Sequence, residues 1–224
     1  MTKTQIGLMI SAIIIFVLGI SIYIGILIYV KKYTKKYIAK SQAEALEQIR
    51  SIRNELGLLP FQLQEDFPSK TEGIDIEGVI NTIILNNYAK NLIIAKNDEF
   101  SFACVNQKIN LPLFYDIDEF EFDKYTKIRY KKAKEFPNEI KPYDFGDLDF
   151  VGVFSSNKKM FDLFDQFYEK LNDKGMLLIS LKNFKRKEIN NLLNDLKIKK
   201  ISYEISYFST RFLFIVKKIE NNVK

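Results

Sequence analysis

The sequence predicts an α/β domain, a mostly parallel sheet with an antiparallel C-terminal strand, held behind an N-terminal transmembrane helix. Three observations lead there. Residues 6–30 carry no charge, and about 25 residues rising 1.5 Å each exceed a hydrocarbon core of roughly 30 Å. Beyond residue 90, short apolar runs alternate with helical ones (NLIIA, FSFACVNQKI, LPLFYDID; then LDFVGVF, KKMFDLFDQFYEKL, MLLISL). A parallel crossover needs a helix's length of chain between its strands. The last two apolar runs, KISYEIS and RFLFIVKK, are only a few residues apart, too few for a crossover, so they pair antiparallel.

Taken in order, residues 1–5 are expected outside the cytoplasm and 6–30 in the membrane. The apolar stretch is longer than the core of a cleaved leader, and YVKKYTKKY follows it with no small-residue cleavage site. Lys3 alone precedes the span, whereas Lys31, Lys32, Lys35 and Lys36 follow it, which places the remainder on the cytoplasmic side of the cell membrane as a single-pass protein. Residues 31–57 form a juxtamembrane amphipathic segment, with Ile38, Ala45, Ile49, Ile52 and Leu56 at helical steps. Residues 38–56 could pair two copies as a short coiled coil or lie on the bilayer. Gly57, Pro60, Pro68 and Gly73 punctuate a linker over 58–73.

The domain proper spans 74–218, with a tail at 219–224. Its predicted elements are a buried helix over 74–88, a strand over 91–95, a helix over 100–109, and a strand opened by Pro112 that ends in Asp116 and Asp118. A charged, aromatic stretch broken by Pro137 and Pro142 follows, with a strand expected near 125–130. Then come a strand over 148–154, a helix over 158–171, a turn at 172–175, a strand over 176–181 and a helix over 185–196. Gly175 is expected in the left-handed conformation that ends helices.

Composition narrows the chemistry. The chain of 224 residues has no histidine, which excludes Ser-His-Asp and Cys-His catalysis and histidine-bound zinc. The lone cysteine, Cys104, permits no internal disulfide. Net charge is +6, of which the four lysines after the span supply most; a near-neutral body makes nucleic acid an unlikely partner. The DKYTKIRYKKAKEF stretch interleaves Lys124, Lys127, Arg129, Lys131, Lys132 and Lys134 with Tyr125 and Tyr130, a pattern of solvated faces and of anionic-surface contacts alike.

The run LDFVGVFSSNKKMFDLFDQFYEKLNDKGMLLISLKN resembles the fourth strand, helix, turn and fifth strand of the class I S-adenosylmethionine-dependent methyltransferases, above all the small O-methyltransferase branch. With its anchor and tryptophan-free composition, the chain also looks like the membrane-tethered methyltransferases of wall-less bacteria. The resemblance implies a Rossmann-like methyltransferase sheet and S-adenosylmethionine as cofactor, with the substrate open. It departs from the family where a glycine-rich loop should follow the first strand: the sequence there is LIIAKNDEFSF. Ligands of open α/β sheets bind at the carboxyl ends of the strands, which gathers Ala95, Lys96, Asn97, Asp98, Asp116, Asp118, Ser155, Ser156 and Asn157 as cofactor-binding candidates. By the resemblance, Asp116 or Asp118 holds the ribose, Asn97 and Asp98 the amino-acid part, and residues 155–157 border the transfer site. Positions that carry carboxylate ligands in metal-dependent relatives hold Ser155 and Lys182-Asn183, so no metal is expected. No residue is singled out as catalytic. An inactive scaffold on the same fold is the competing expectation.

Overall fold

A computed structural model describes residues 16–30, 32–33, 59, 66–67, 69–136 and 138–218. The readings made for 1–15, most of 31–58 and the tail lie outside these residues, including the pairing helix at 38–56. Two units divide the chain, Met1–Glu47 and Gln48–Lys224. In the first, residues 16–30 are helical, with exposed apolar side chains. Ser21 Oγ donates to Val17 O at 2.8 Å, the i−4 back-bond open to a helical serine. Among the described residues no helix is long and apolar enough to cross a membrane. The described part of the predicted span reaches only about 22 Å at 1.5 Å per residue.

The second unit carries a seven-stranded sheet. In chain order its elements are α1 (Gly73–Leu85), β1 (Asn91–Ala95), α2 (Glu99–Lys108), β2 (Leu113–Tyr115), α3 (Phe122–Lys131), β3 (Ile140–Pro142), β4 (Leu148–Ser155), α4 (Met160–Phe167), β5 (Leu171–Ser180), α5 (Arg186–Ile198), β6 (Tyr203–Tyr207) and β7 (Arg211–Val216). Strand order is β3-β2-β1-β4-β5-β7-β6. The first five strands pair parallel, and β7 pairs antiparallel with both β5 and β6. The order turns back between β1 and β4, the topological switch where such sheets bind ligands.

Both faces are covered, so the central strands read as unbroken apolar runs. Along β1, Ile93 packs with α1 and α2 on one side, while Leu92 and Ile94 pack with α4 and α5 on the other. The same alternation holds in β4, where Phe150 faces one layer and Val151 and Val153 the other. Leu163, Phe167, Leu192 and Leu196 supply the second layer from α4 and α5, the i, i+4 spacing of an inward helical face.

Two expectations are corrected. Residues 125–130 belong to helix α3. Tyr125, fully buried, sits among Phe67, Phe102, Phe120 and Phe136 with ring centroids 5.3–5.7 Å away, and its hydroxyl donates to Asn106 Oδ1 at 3.1 Å. Phe122, Tyr125 and Ile128 recur every three residues, a helical period that the surrounding charges mask. Gly175 does not take a positive φ; Lys174 does, at 62°. Residues 172–175 form a bulge inside β5, since the β4–β5 register jumps from Leu148↔Leu171 to Phe150↔Met176. Glycine is required by closeness instead. A Cβ at Gly175 would stand 2.9 Å from Asn172 O and 3.1 Å from Asp149 O, and backbone cannot move aside. The short β3 was not foreseen, because three residues of which the last is a proline carry no period.

Candidate functional site

The carboxyl ends of β1, β4 and β5 enclose a cavity of about 440 Å³. Its first wall is the turn after β1. Asp98 N–H donates to Ala95 O at 3.1 Å, and Asn97 takes φ 55°, a left-handed conformation that asparagine tolerates better than most side chains. This is how the turn does without glycine. Two of its side chains are also held by neighbours. Asp98, buried at 1% exposure, caps α2 by accepting from Ser101 N–H at 3.4 Å and accepts from Thr71 Oγ1. Lys96 Nζ reaches the backbone oxygen of Asp118, 3.0 Å away.

The second wall is the end of β4. Ser155 Oγ donates to Lys96 O at 2.7 Å, and Lys96 N–H donates to Ser155 O at 3.0 Å, which stitches the two strand ends together. Ser156 and Asn157 continue this wall, and Ser180, Lys182 and Asn183 from the end of β5 form the third. A strap before α1 crosses the mouth: Lys182 Nζ donates to Lys70 O at 3.0 Å, and Thr71 holds Asp98. Asp75, in the first turn of α1, completes the lining. It accepts from Ser209 N–H, Thr210 N–H and Thr210 Oγ1 at 2.7–2.9 Å.

The structure therefore brings together Lys96, Asn97, Asp98, Ser155, Ser156 and Asn157, with Ala95 buried beneath them. It does not bring Asp116 and Asp118 to the wall. Asp116 Oδ2 is paired with Lys158 Nζ at 2.7 Å, Lys158 also donates to Gln166 Oε1 at 3.0 Å, and Asp116 Oδ1 accepts from Asp118 N–H. Beside this pair Asn157 N–H donates to both oxygens of Glu119 at 3.2 Å. The loops after β2 and β4 are thus joined across the end of β1. Asp118 is exposed. Sequence reasoning missed Lys70, Thr71, Asp75 and Ser180 altogether, and saw Lys182 and Asn183 only as positions without carboxylates.

The residues fit the cofactor that the resemblance implies in two unequal halves. Asn97, Asp98 and Ser155 offer the polar groups an amino-acid end needs, in a cavity of suitable size. Asp116, the ribose candidate, stands outside the cavity lining and is paired with Lys158, which would have to withdraw before sugar hydroxyls could reach the carboxylate.

The basic stretch does not form one surface. Tyr125 is core, Lys124 pairs with Glu99 and Glu121, Lys132 pairs with Asp66, and Arg129 donates to Asn138 O. A larger groove of about 720 Å³ runs along α3 between Phe122, Lys127 and Lys131.

No protein-family model matches the chain, and no curated protein matches its sequence. Solved structures do. An O-methyltransferase from Bacillus cereus, in complex with SAH, is similar at TM-score 0.51 and 8% identity, over 78% of this chain and 91% of its own. The O-methyltransferase TomG from Streptomyces achromogenes, in complex with SAM, is similar at 0.51 and 9%, over 75% and 91%. The SAH-bound Podospora anserina methyltransferase PaMTH1 is similar at 0.51 and 10%, over 80% and 88%. The domain has the Rossmann-like fold of the class I methyltransferases. At such identities the likeness reaches the fold and stops there.

Proposed function

We propose that the protein is an S-adenosylmethionine-dependent methyltransferase anchored in the cell membrane by residues 6–30, with its α/β domain on the cytoplasmic side. One observation carries the reading: the cavity lies at the switch between β1 and β4, and its walls include Asn97, Asp98 and residues 155–157. The cofactor supplies an electrophilic methyl group when bound. This chain's residues position it: Asp98 faces the ammonium of its amino-acid end, Ser155 and Asn157 border the reacting centre, and Asp116 takes the ribose once Lys158 has moved. Transfer to an acceptor held in line gains most of its rate from proximity, which accords with a site lacking histidine. Lys182 and Ser155 in place of carboxylates favour a reaction without a metal. Pairing of two copies through 38–56 belongs to the same proposal.

The Lys158–Asp116 pair favours a second reading, an inactive scaffold that has closed its ribose site. Titration of the full chain in mild detergent with S-adenosylhomocysteine decides between them. At a hundred-fold excess over Kd a binder gains about 2.7 kcal/mol, or about 5–11 °C in Tm for a domain of this size. Unchanged melting at millimolar ligand supports the scaffold.

A further inference from the structure

Five charged side chains line the cavity, and they are not equivalent. Asp75 and Asp98 are buried carboxylates, the first accepting from three donors of the β6–β7 turn and the second from Thr71 and Ser101, with acceptor capacity left over. Among the described residues, Lys70, Lys96 and Lys182 have no carboxylate within ion-pair distance; Lys96 and Lys182 donate only to neutral backbone oxygens. A carbonyl leaves an ammonium with two further protons to share. Lys182 reaches the backbone of Lys70 at the β5 end of the cavity, where Ser180 also lines the wall. Ser180 is 5% exposed, and among the described residues its hydroxyl has no hydrogen-bond partner. Asn183 adds an amide held only by a 3.5 Å contact to Phe154 O. Uncompensated cations, a buried free hydroxyl and a loosely held amide on one wall make a site with donors in excess.

We propose that this end of the cavity binds the acidic group of a small molecule bearing a phosphate or carboxylate, and that this molecule is the acceptor; the second part rests on the methyltransferase reading. Lys182 and Lys70 grip the anion from the mouth, and Ser180 meets it from the floor. Charge-assisted hydrogen bonds of this kind are about twice as strong as neutral ones. Asp98, on the β1 wall, leaves the cofactor's ammonium and the anionic end of the acceptor on different walls.

Binding of phenyl phosphate, benzoate and benzyl alcohol to the full chain in non-ionic detergent, followed by ligand-observed NMR, tests this. The two anions should bind at least about tenfold more tightly than the alcohol, the margin one charge-assisted hydrogen bond supplies. Lys182→Met should lose about that margin, while Lys187→Met, on the exposed side of α5, should change nothing. Equal binding of anion and alcohol, or equal effects of the two substitutions, overturns the site. Phenyl phosphate that binds as well or better with S-adenosylhomocysteine present supports the acceptor role. Competitive displacement overturns that role, because the lysines would then hold the cofactor's own carboxylate. Anion binding that depends on Lys182 without any S-adenosylhomocysteine binding upholds the anion site and sinks the methyltransferase reading.

Discussion

Asp75 offers the most direct test of how the cavity is built. Its carboxylate accepts three hydrogen bonds at 2.7–2.9 Å from the β6–β7 turn and is 2% exposed, so it ties the start of α1 to the antiparallel edge of the sheet. Hydrogen bonds to a charged group contribute about 1.5–3 kcal/mol each, and buried donors left unmet are penalised. Ser209 and Thr210 are half-buried, so water restores part of the loss, and Asp75→Ala should cost about 3 kcal/mol. Asp75→Asn keeps one oxygen for the two N–H groups, and its amide can donate to Thr210 Oγ1, so about 1 kcal/mol is expected. At about 2–4 °C per kcal/mol for a domain of this size, the Tm of the full chain in detergent, followed by near-ultraviolet circular dichroism, should fall about 6–12 °C for alanine and about 2–4 °C for asparagine. Equal falls would refute the reasoning, since acceptor geometry would then not be what the site contributes. An unchanged alanine variant would refute it more simply.

Four further outcomes follow from the same geometry. Cys104 is fully buried, and burial first, then the neighbouring Asp98 charge, pushes its thiol above the usual range; it should resist Ellman's reagent at pH 8 until urea unfolds the chain. Burial raises the Asp149 carboxyl, but hydrogen bonds from Asn172, Lys90 and Ala89 outweigh it and hold the pKa below 3.8. Asp149 therefore adds stability above the ordinary aspartate pKa and loses it as the pH falls through the depressed value, so the urea midpoints of wild type and Asp149→Asn should converge as the pH is lowered through and below the ordinary aspartate range. Removing the Tyr125 hydroxyl with phenylalanine strands Asn106 Oδ1 in the aromatic core, at about 1–2 kcal/mol in urea melts. Under the methyltransferase reading, Lys158→Met frees Asp116 and should tighten S-adenosylhomocysteine binding about two- to fivefold by calorimetry, the range a partly exposed ion pair covers; weaker binding would show that Lys158 assists the cofactor.

Much of the sheet was legible because burial on both faces writes a strong pattern. NLIIA, LDFVGVF and MLLISL have few other uses than central strands, and the short link before RFLFIVKK dictated its reversed direction. What escaped was structure whose signal lies in contacts distant in the chain. Tyr125 is core only because Phe67 and Phe136 close over it, and neighbouring lysines hide that in a hydropathy window. Gly175 was read locally as a helix end, but its reason is the close approach of Asn172 O within the bulge and of Asp149 O from another strand. At the site, the β1 and β4 walls could be named because strand ends gather by topology. Lys70 and Asp75 could not, since they enter from a segment before the first strand.

The closing contacts also bear on what a missing glycine loop implies. Glycine after β1 would serve two ends, a left-handed turn and an unobstructed wall. Asn97 provides the turn at φ 55°, Lys96 is drawn to Asp118 O, and Thr71 and Ser101 hold Asp98 in the wall. The departure from the family pattern thus removes the motif without removing the geometry. The consequential change lies opposite, where Lys158 and Asn157 from the β4 loop occupy Asp116 and Glu119. Asp116 and Glu119 already have ionic and hydrogen-bonding partners without a ligand, so a ligand gains at that end only by the difference between its own contacts and theirs. Whether the domain turns over a cofactor therefore depends on the strength of one lysine–aspartate pair more than on the absence of glycine.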